Sequence, residues 1–238
     1  MLPVVILCGG LGTRLRPVVE DRPKAMVPVD GTPFLAYLLE QLGEAGVTDV
    51  ILSTGHLGEQ IETFVDRTTW DPSIECIQEE EPLGTGGALR YVAEEADLDS
   101  FVAMNGDTLF SGSVRRLVRF HDRQEDAAAS IALVETDQPD RYGRVRFDDS
   151  TGAITGFDEK QSGIEGTVWI NAGAYVLTPD VWGAIAPGET VSLEREVFPE
   201  WVGEGLYGCR FPDADFLDIG TPEDYRKAEA WLNQNWAS

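Results

Sequence analysis

Short apolar runs alternate with segments of helical periodicity through the first 121 residues, and no other feature narrows the available folds as much. Val4 to Cys8 is an apolar run closed by Gly9-Gly10, the pattern of a buried strand. Phe34, Leu35, Leu38, Leu39 and Leu42 then recur at helical spacing. Thr32-Pro33 ahead of them predicts an N-cap with proline at the first helical position, and Gly43 and Gly46 mark the end. Strands are expected at Asp49 to Thr54, Ile74 to Gln78 and Phe101 to Asn105. Helices are expected at Leu57 to Val65, Gly84 to Glu95 and Val114 to His121. Such βαβα alternation implies an α/β fold with a three-layer α/β/α build and a mostly parallel sheet.

Strand patterns dominate the second half, at Ser130 to Val134, Gly143 to Phe147, Ala153 to Phe157, Thr167 to Leu177 and Leu206 to Phe211, so the sheet is expected to be mixed. Helices are expected to begin at Thr178-Pro179 and Thr221-Pro222. The last one runs to Trp236 with Tyr225, Ala228, Trp231 and Leu232 on one face. With no internal repeat and no low-complexity linker, residues 1–238 read as one domain.

The net charge is −24, and only three of the 18 basic residues are lysines. Such a surface repels nucleic acid and anionic membrane, and it would hold a nucleotide only where positive charge is gathered. Arg14, Arg16, Arg22 and Lys24 are such a gathering. Cys8, Cys76 and Cys209 are scattered and odd in number, which suits a reducing compartment. No apolar run nears the ~20 residues of a membrane span, and no signal-peptide pattern opens the chain, so a cytoplasmic protein is expected.

The densest chemistry lies in Leu7 to Lys24, LCGGLGTRLRPVVEDRPK. A strand stops at Gly9-Gly10 and turns through Gly12 and Thr13 to Arg14. Glycines let backbone N–H groups approach phosphate oxygens, and an arginine can clamp them bidentately. The segment is neither the dinucleotide fingerprint, since Leu15 stands where its third glycine would be, nor a Walker loop. It resembles the sugar-1-phosphate nucleotidyltransferases, whose GGxGTRL loop, Pro-Lys pair and apolar-Pro-apolar step read here as Gly9 to Leu15, Pro23-Lys24 and Val27-Pro28-Val29.

That resemblance spans about Val4 to Ala230 and implies their Rossmann-like nucleotide-diphospho-sugar transferase fold, with a nucleotide half at about 1–134 and a sugar-phosphate half at about 135–238. It implies that Leu7, Gly9, Gly10, Gly12 and Thr13 wrap the triphosphate, that Arg14 faces the leaving phosphates and that Lys24 faces the transferred α-phosphate. Glu79 and Gly84, within Glu79-Glu80-Glu81-Pro82-Leu83-Gly84, become candidate base contacts. Glu80 and Glu81 are expected to be surface charge. Asn105-Gly106-Asp107 ends a strand, where ligands of open α/β sheets bind. A second acidic stop is Phe216-Leu217-Asp218-Ile219-Gly220. The resemblance makes Asp107 and Asp218 the ligands of a Mg²⁺ ion, whose normal shell is carboxylates, phosphate oxygens and water. Glu159, Lys160, Asn171 and Gly173 match elements that hold the sugar phosphate, and Glu194 is a weaker candidate there. Many members also carry a C-terminal left-handed β-helix. This chain ends at Ser238 after one helix, so a minimal catalytic domain without regulation through such a tail is expected.

The implied reaction is in-line attack of a sugar 1-phosphate on the α-phosphorus of a nucleoside triphosphate, with pyrophosphate leaving. The attacking phosphate is already anionic, with a second pKa of about 6, so no general base is required. This suits a chain whose two histidines, His56 and His121, fall outside the motifs. Guanine presents N–H donors on one edge that a carboxylate such as Glu79 can accept, which favours GTP. Within the family, EEPLGTGGAL and Pro33-Phe34-Leu35 look most like members that act on D-glycero-D-manno-heptose 1-phosphate. Mannose 1-phosphate with GTP, and a uridylyl or thymidylyl transfer, are the alternatives. A glycosyltransferase would lack the glycine-arginine loop, and a non-catalytic nucleotide-sugar-binding regulatory subunit would be expected to lose Arg14, Lys24 or an aspartate. A homo-oligomer is compatible with either reading.

Overall fold

The computed structural model describes residues 1–10, 21–138, 141–159 and 166–235. Its strands are β1 (Val4–Leu7), β2 (Pro28–Val29), β3 (Thr32–Pro33), β4 (Asp49–Thr54), β5 (Ser73–Gln78), β6 (Phe101–Asn105), β7 (Thr108–Phe110), β8 (Ala129–Thr136), β9 (Arg144–Phe147), β10 (Ile154–Asp158), β11 (Val168–Leu177), β12 (Leu206–Phe211) and β13 (Phe216–Asp218). The helices are α1 (Phe34–Glu44), α2 (Gly58–Asp66), α3 (Gly84–Glu95), α4 (Val114–His121), α5 (Pro179–Ala184), the short α6 (Phe198–Glu200) and α7 (Pro222–Asn235). None is long and apolar enough to cross a membrane.

A nine-stranded sheet runs through both halves of the chain. Its first half is parallel, in the order β6-β1-β4-β5, with Val4 beside both Val50 and Val102. β11 then joins β6 antiparallel, pairing Ala174 with Met104, and β8 follows on the far side of β11 with β12 parallel to it. β9 and β10 lie beside the first part of β11, where Ile170 meets Arg144. This is the mixed, mostly parallel sheet the alternation predicted.

Side chains alternate across the sheet with the period of two that a pleated strand imposes. Val4 and Ile6 enter one core with Val102, Met104, Ala174 and Val176. Val5 enters the other with Phe101, Ala103, Tyr175 and Leu177. Phe34, Leu38 and Leu42 of α1, Leu117 of α4 and Ala228 and Leu232 of α7 cover the first face; Leu89 and Val92 of α3, Val181 of α5 and Phe198 of α6 cover the second. Each fully buried leucine or phenylalanine is worth about 1.5–3 kcal/mol of transfer free energy, and this fixes which helix face turns inward.

Two local expectations change. Pro33, not Thr32, takes the N-cap position of α1, and Phe34 is the first helical residue. Thr32 and Pro33 pair antiparallel with Val29 and Pro28 as a small hairpin, and no side chain caps the helix. The helix entry is held instead by the Phe34 N–H, which donates to Val27 O over 3.0 Å. Gly43 lies inside α1, and the turn falls at Gly46, with φ of 68°. The short β7 and β13 were too brief to show a period. They form a separate two-stranded ribbon, Asp218 opposite Thr108, which bears directly on the site.

Candidate active site

Strand order reverses at β1: β4 and β5 lie to one side, β6 and β11 to the other. Ligands of open α/β sheets settle at such a switch point, beyond the carboxyl ends of the strands. Leu7 ends β1 and accepts the Gly106 N–H at 3.0 Å, which ties the turn after β1 to the turn after β6. Gly9 and Gly10 follow, and a Cβ added at Gly10 would meet no atom of the described residues within 4 Å. Gly12, Thr13 and Arg14, the rest of the expected phosphate loop, lie outside the described residues, as does Lys160.

Glu79 follows β5 and is buried, whereas Glu80 and Glu81 are exposed, as expected. Its carboxylate lies over the first glycine of the loop, for a Cβ added at Gly9 would come within 2.6 Å of Glu79 Oε1. Burial pushes its carboxyl above the ordinary range, against one hydrogen bond from the Leu83 N–H at 3.3 Å. Gly84 opens α3 with φ of 72°, and a Cβ there would meet Val191 O at 2.5 Å. Only glycine fits both constraints. Gly84 therefore docks α3 on the Val191 segment, a packing role the motif alone did not reveal.

Asp107 follows β6 and forms an ion pair with Lys24, which sits in a single 3₁₀ turn at Lys24–Met26. Thr108 Oγ1 donates to Asp107 Oδ1 at 3.1 Å, and the Ile219 N–H donates to Asp107 O at 3.0 Å. The β7–β13 ribbon thus brings together two aspartates separated by 110 residues of chain. Burial raises the carboxyl of Asp218, and the charge of Asp107 raises it further, while Lys24 and the Gly220 N–H act the other way. Among the described residues the two carboxylates face one lysine, which leaves net negative charge between them. Among the described residues no third acid, histidine or cysteine joins them to complete a protein-only metal cluster.

Beyond Asp218 opens a cavity of about 500 Å³ lined by Asn105, Asn171, Gly173, Tyr175 and Glu194 on one side and by Arg141, Tyr142, Thr221 and Asp224 on the other. Gly173, with φ of 72°, faces the Asn105 amide, where a Cβ would come within 2.8 Å of Nδ2. Asn171 Oδ1 accepts the Gly173 N–H at 2.8 Å, and its Nδ2 donates to Tyr175 Oη at 3.0 Å. Tyr175 Oη donates to Glu194 Oε1 at 3.3 Å, and Thr85 Oγ1 donates to Glu194 Oε2 at 2.7 Å. Glu194 therefore belongs to the cavity wall more firmly than its sequence context suggested. Glu159 is exposed and does not line this cavity.

Three lining residues, Arg141, Tyr142 and Asp224, had no motif to announce them, whereas Thr221 closes the Asp218-Ile219-Gly220 segment. Arg141 forms an ion pair with the buried Asp224, and Thr221 Oγ1 donates to Asp224 Oδ2 at 2.6 Å. The Tyr142 phenol is pushed up to about 12, first by burial and then by the charge of Asp218. Arg141-Tyr142 precedes an expected strand and Asp224 opens an expected helix, so each looked like ordinary boundary chemistry until the fold joined them.

The family model described as nucleotidyl transferase matches residues 3–235. D-glycero-alpha-D-manno-heptose 1-phosphate guanylyltransferase of Aneurinibacillus thermoaerophilus is 38% identical over 232 residues, covering 97% of this chain and 98% of that one. Mannose-1-phosphate guanylyltransferase of Mycobacterium tuberculosis is also 38% identical, over 96% of this chain but 64% of its own length. The crystal structure of HddC from Yersinia pseudotuberculosis complexed with GMP-PN superposes with a TM-score of 0.83 at 35% identity, covering 98% of this chain and all of that one. With its strand order, its paired aspartates and a family match along nearly its whole length, the chain belongs to the nucleotidyl transferase family.

Proposed function

We propose that the chain transfers a guanylyl group from GTP to D-glycero-D-manno-heptose 1-phosphate, releasing pyrophosphate and giving GDP-heptose. The observation that carries the chemistry is the placement of Asp107, Asp218 and Lys24 at one point, between the turn over which Glu79 lies and the cavity walled by Asn171 and Glu194. The names borne by the Aneurinibacillus relative and by the GMP-PN complex support the choice of base and sugar. The Mycobacterium relative, equally identical, favours mannose 1-phosphate as the second reading.

Asp107 and Asp218 are hard oxygen donors with excess negative charge between them, which fits a Mg²⁺ ion completed by phosphate oxygens and water. When bound, it would neutralise charge on both phosphates and hold them for in-line displacement. Lys24 then exchanges Asp107 for an α-phosphate oxygen, and Arg14 takes the leaving pyrophosphate. Glu79 accepts from the guanine edge, Gly84 borders the base, Asn171 and Gly173 hold the acceptor, and Lys160 faces its phosphate, whereas Glu159, exposed and off the cavity wall, takes no part in it. The acceptor phosphate attacks as an anion, so positioning and charge supply the catalysis. Retention of Lys24, Asp107 and Asp218 supports an enzyme over a regulatory subunit. We place it in the cytoplasm, where its three cysteines remain free thiols.

Pyrophosphate release with GTP, UTP and dTTP against heptose 1-phosphate and mannose 1-phosphate tests this. GTP with the heptose phosphate should give the highest kcat/KM. A tenfold advantage of UTP or dTTP, worth about 1.4 kcal/mol, would refute the guanine assignment.

A further inference from the structure

A second cavity, of about 660 Å³, shares no lining residue with the first. It lies between α4, the turn at 148–152 and β12. Five arginines line it, Arg115, Arg116, Arg119, Arg123 and Arg210, against a single carboxylate, Asp149. On a chain with 42 acidic and 18 basic residues, this concentrates positive charge where nothing in the nucleotidyl-transfer site needs it.

Partners in the fold account for only some of that charge. Arg115 Nε donates to Ala45 O at 2.7 Å. Arg116 donates to Arg210 O at 2.7 Å and lies 4.6 Å over the Phe211 ring. Arg210 is well partnered, pairing with the exposed Asp149 carboxylate at 3.0 Å, donating to Asp149 O at 3.2 Å and lying 5.4 Å over the Phe147 ring. The exposed guanidinium groups of Arg119 and Arg123 make no hydrogen bond or ion pair with the described residues. A helix C-terminus welcomes one or two cations. Arg115 and Arg119, however, stand at i, i+4 spacing on α4, where a like-charge pair costs about 0.2–0.5 kcal/mol of helix stability, and Arg123 follows just beyond the helix end at His121. Folding thus gains little from the row, whereas a ligand would gain from it.

We propose that this cavity binds a compact anion carrying two or more phosphoryl groups, at a site apart from the nucleotidyl-transfer site. Its volume falls in the range of small-molecule pockets, and guanidinium forks match phosphate oxygens in pairs. Ser150 and Thr151 also line the wall, but both hydroxyls donate to Asp148 Oδ1, so recognition falls to the arginines. The net charge of −24 and the concave shape argue against nucleic acid or a membrane as occupant. The two walls also lead to the active site: α4 follows the β7 segment that starts after Asp107, and β12 leads into β13, which ends in Asp218. Arg116 ties these walls together, so an anion bound here is placed to bias both aspartate segments.

The test is calorimetric titration of inorganic pyrophosphate into the full chain in EDTA at low salt. Two double variants run in parallel: Arg119→Ala with Arg123→Ala, and Arg14→Ala with Lys24→Ala as the active-site control. The parent should show a binding event that weakens at least tenfold in the first variant and persists in the second. Arg119→Gln alone, a mild change at an exposed side chain, should weaken it severalfold with circular dichroism unchanged. No event in the parent, or one removed only by Arg14→Ala with Lys24→Ala, overturns the proposal.

Discussion

Asp218 illustrates the conflict between stability and function at a single residue. Its carboxyl is raised by burial and by Asp107, so the ionised form is less favourable in the folded chain than in the unfolded one. The stabilising contribution is therefore present at acid pH and is lost as pH rises through the folded-state value. At neutral pH without metal, Asp218→Asn should melt above the parent, since the amide oxygen still accepts from the Gly220 N–H. The same variant, like Asp107→Asn, should lose at least ~10²-fold in turnover with metal present. Thermal melts in EDTA and steady-state rates in Mg²⁺ provide the two readouts. An unchanged rate would remove the metal assignment, and a lowered melting point would remove the burial argument.

At the scale of elements, the site depends on how α3 and the β7–β13 ribbon are docked. The Gly86 N–H donates to Val191 O at 2.9 Å, and the Val191 N–H donates to Leu83 O at 2.9 Å, so the start of α3 is stitched to the segment that carries Glu194. Thr85 completes the joint, accepting the Leu193 N–H at 2.9 Å while donating to Glu194. Gly84→Ala forces a side chain to positive φ and against Val191 O, so it should destabilise by about 1–3 kcal/mol. Because the same joint holds the cavity wall, KM for the sugar phosphate should rise as well. Urea midpoints and acceptor KM values check this, and a neutral midpoint would show that the Val191 segment shifts freely.

For the whole molecule, the decisive quantity is the charge of −24 at neutral pH. Acidic residues exceed the available ion-pair partners, so long-range repulsion opposes the compact state. Salt at molar concentration shortens the screening length to about 3 Å and should relieve that repulsion. The melting temperature is therefore expected to rise from low to molar sodium chloride. A flat or falling curve would show that salt weakens local pairs such as Arg141 with Asp224 at least as much as it relieves the repulsion.

Periodicity alone determined most of this fold, because burying one face of a strand or helix imposes a repeat that sequence must carry. The boundaries of α3, α4, β6 and β12 coincide with the apolar pattern for that reason. The meeting of Lys24, Asp107 and Asp218 was also foreshadowed, since all three stand in short motifs of particular residue types. The three-residue β7 and β13 were not, because three residues are too few to display a period of two. Nor could sequence show that Thr32 and Pro33 enter a hairpin, since a proline after threonine serves equally well as a helix start. Tertiary structure alone decided that Arg141 meets Asp224 in the wall of the cavity beyond Asp218 and that Arg210 faces the arginines of α4. Those meetings join residues that lie far apart in the chain, and only packing of the sheet and its helices brings them within reach.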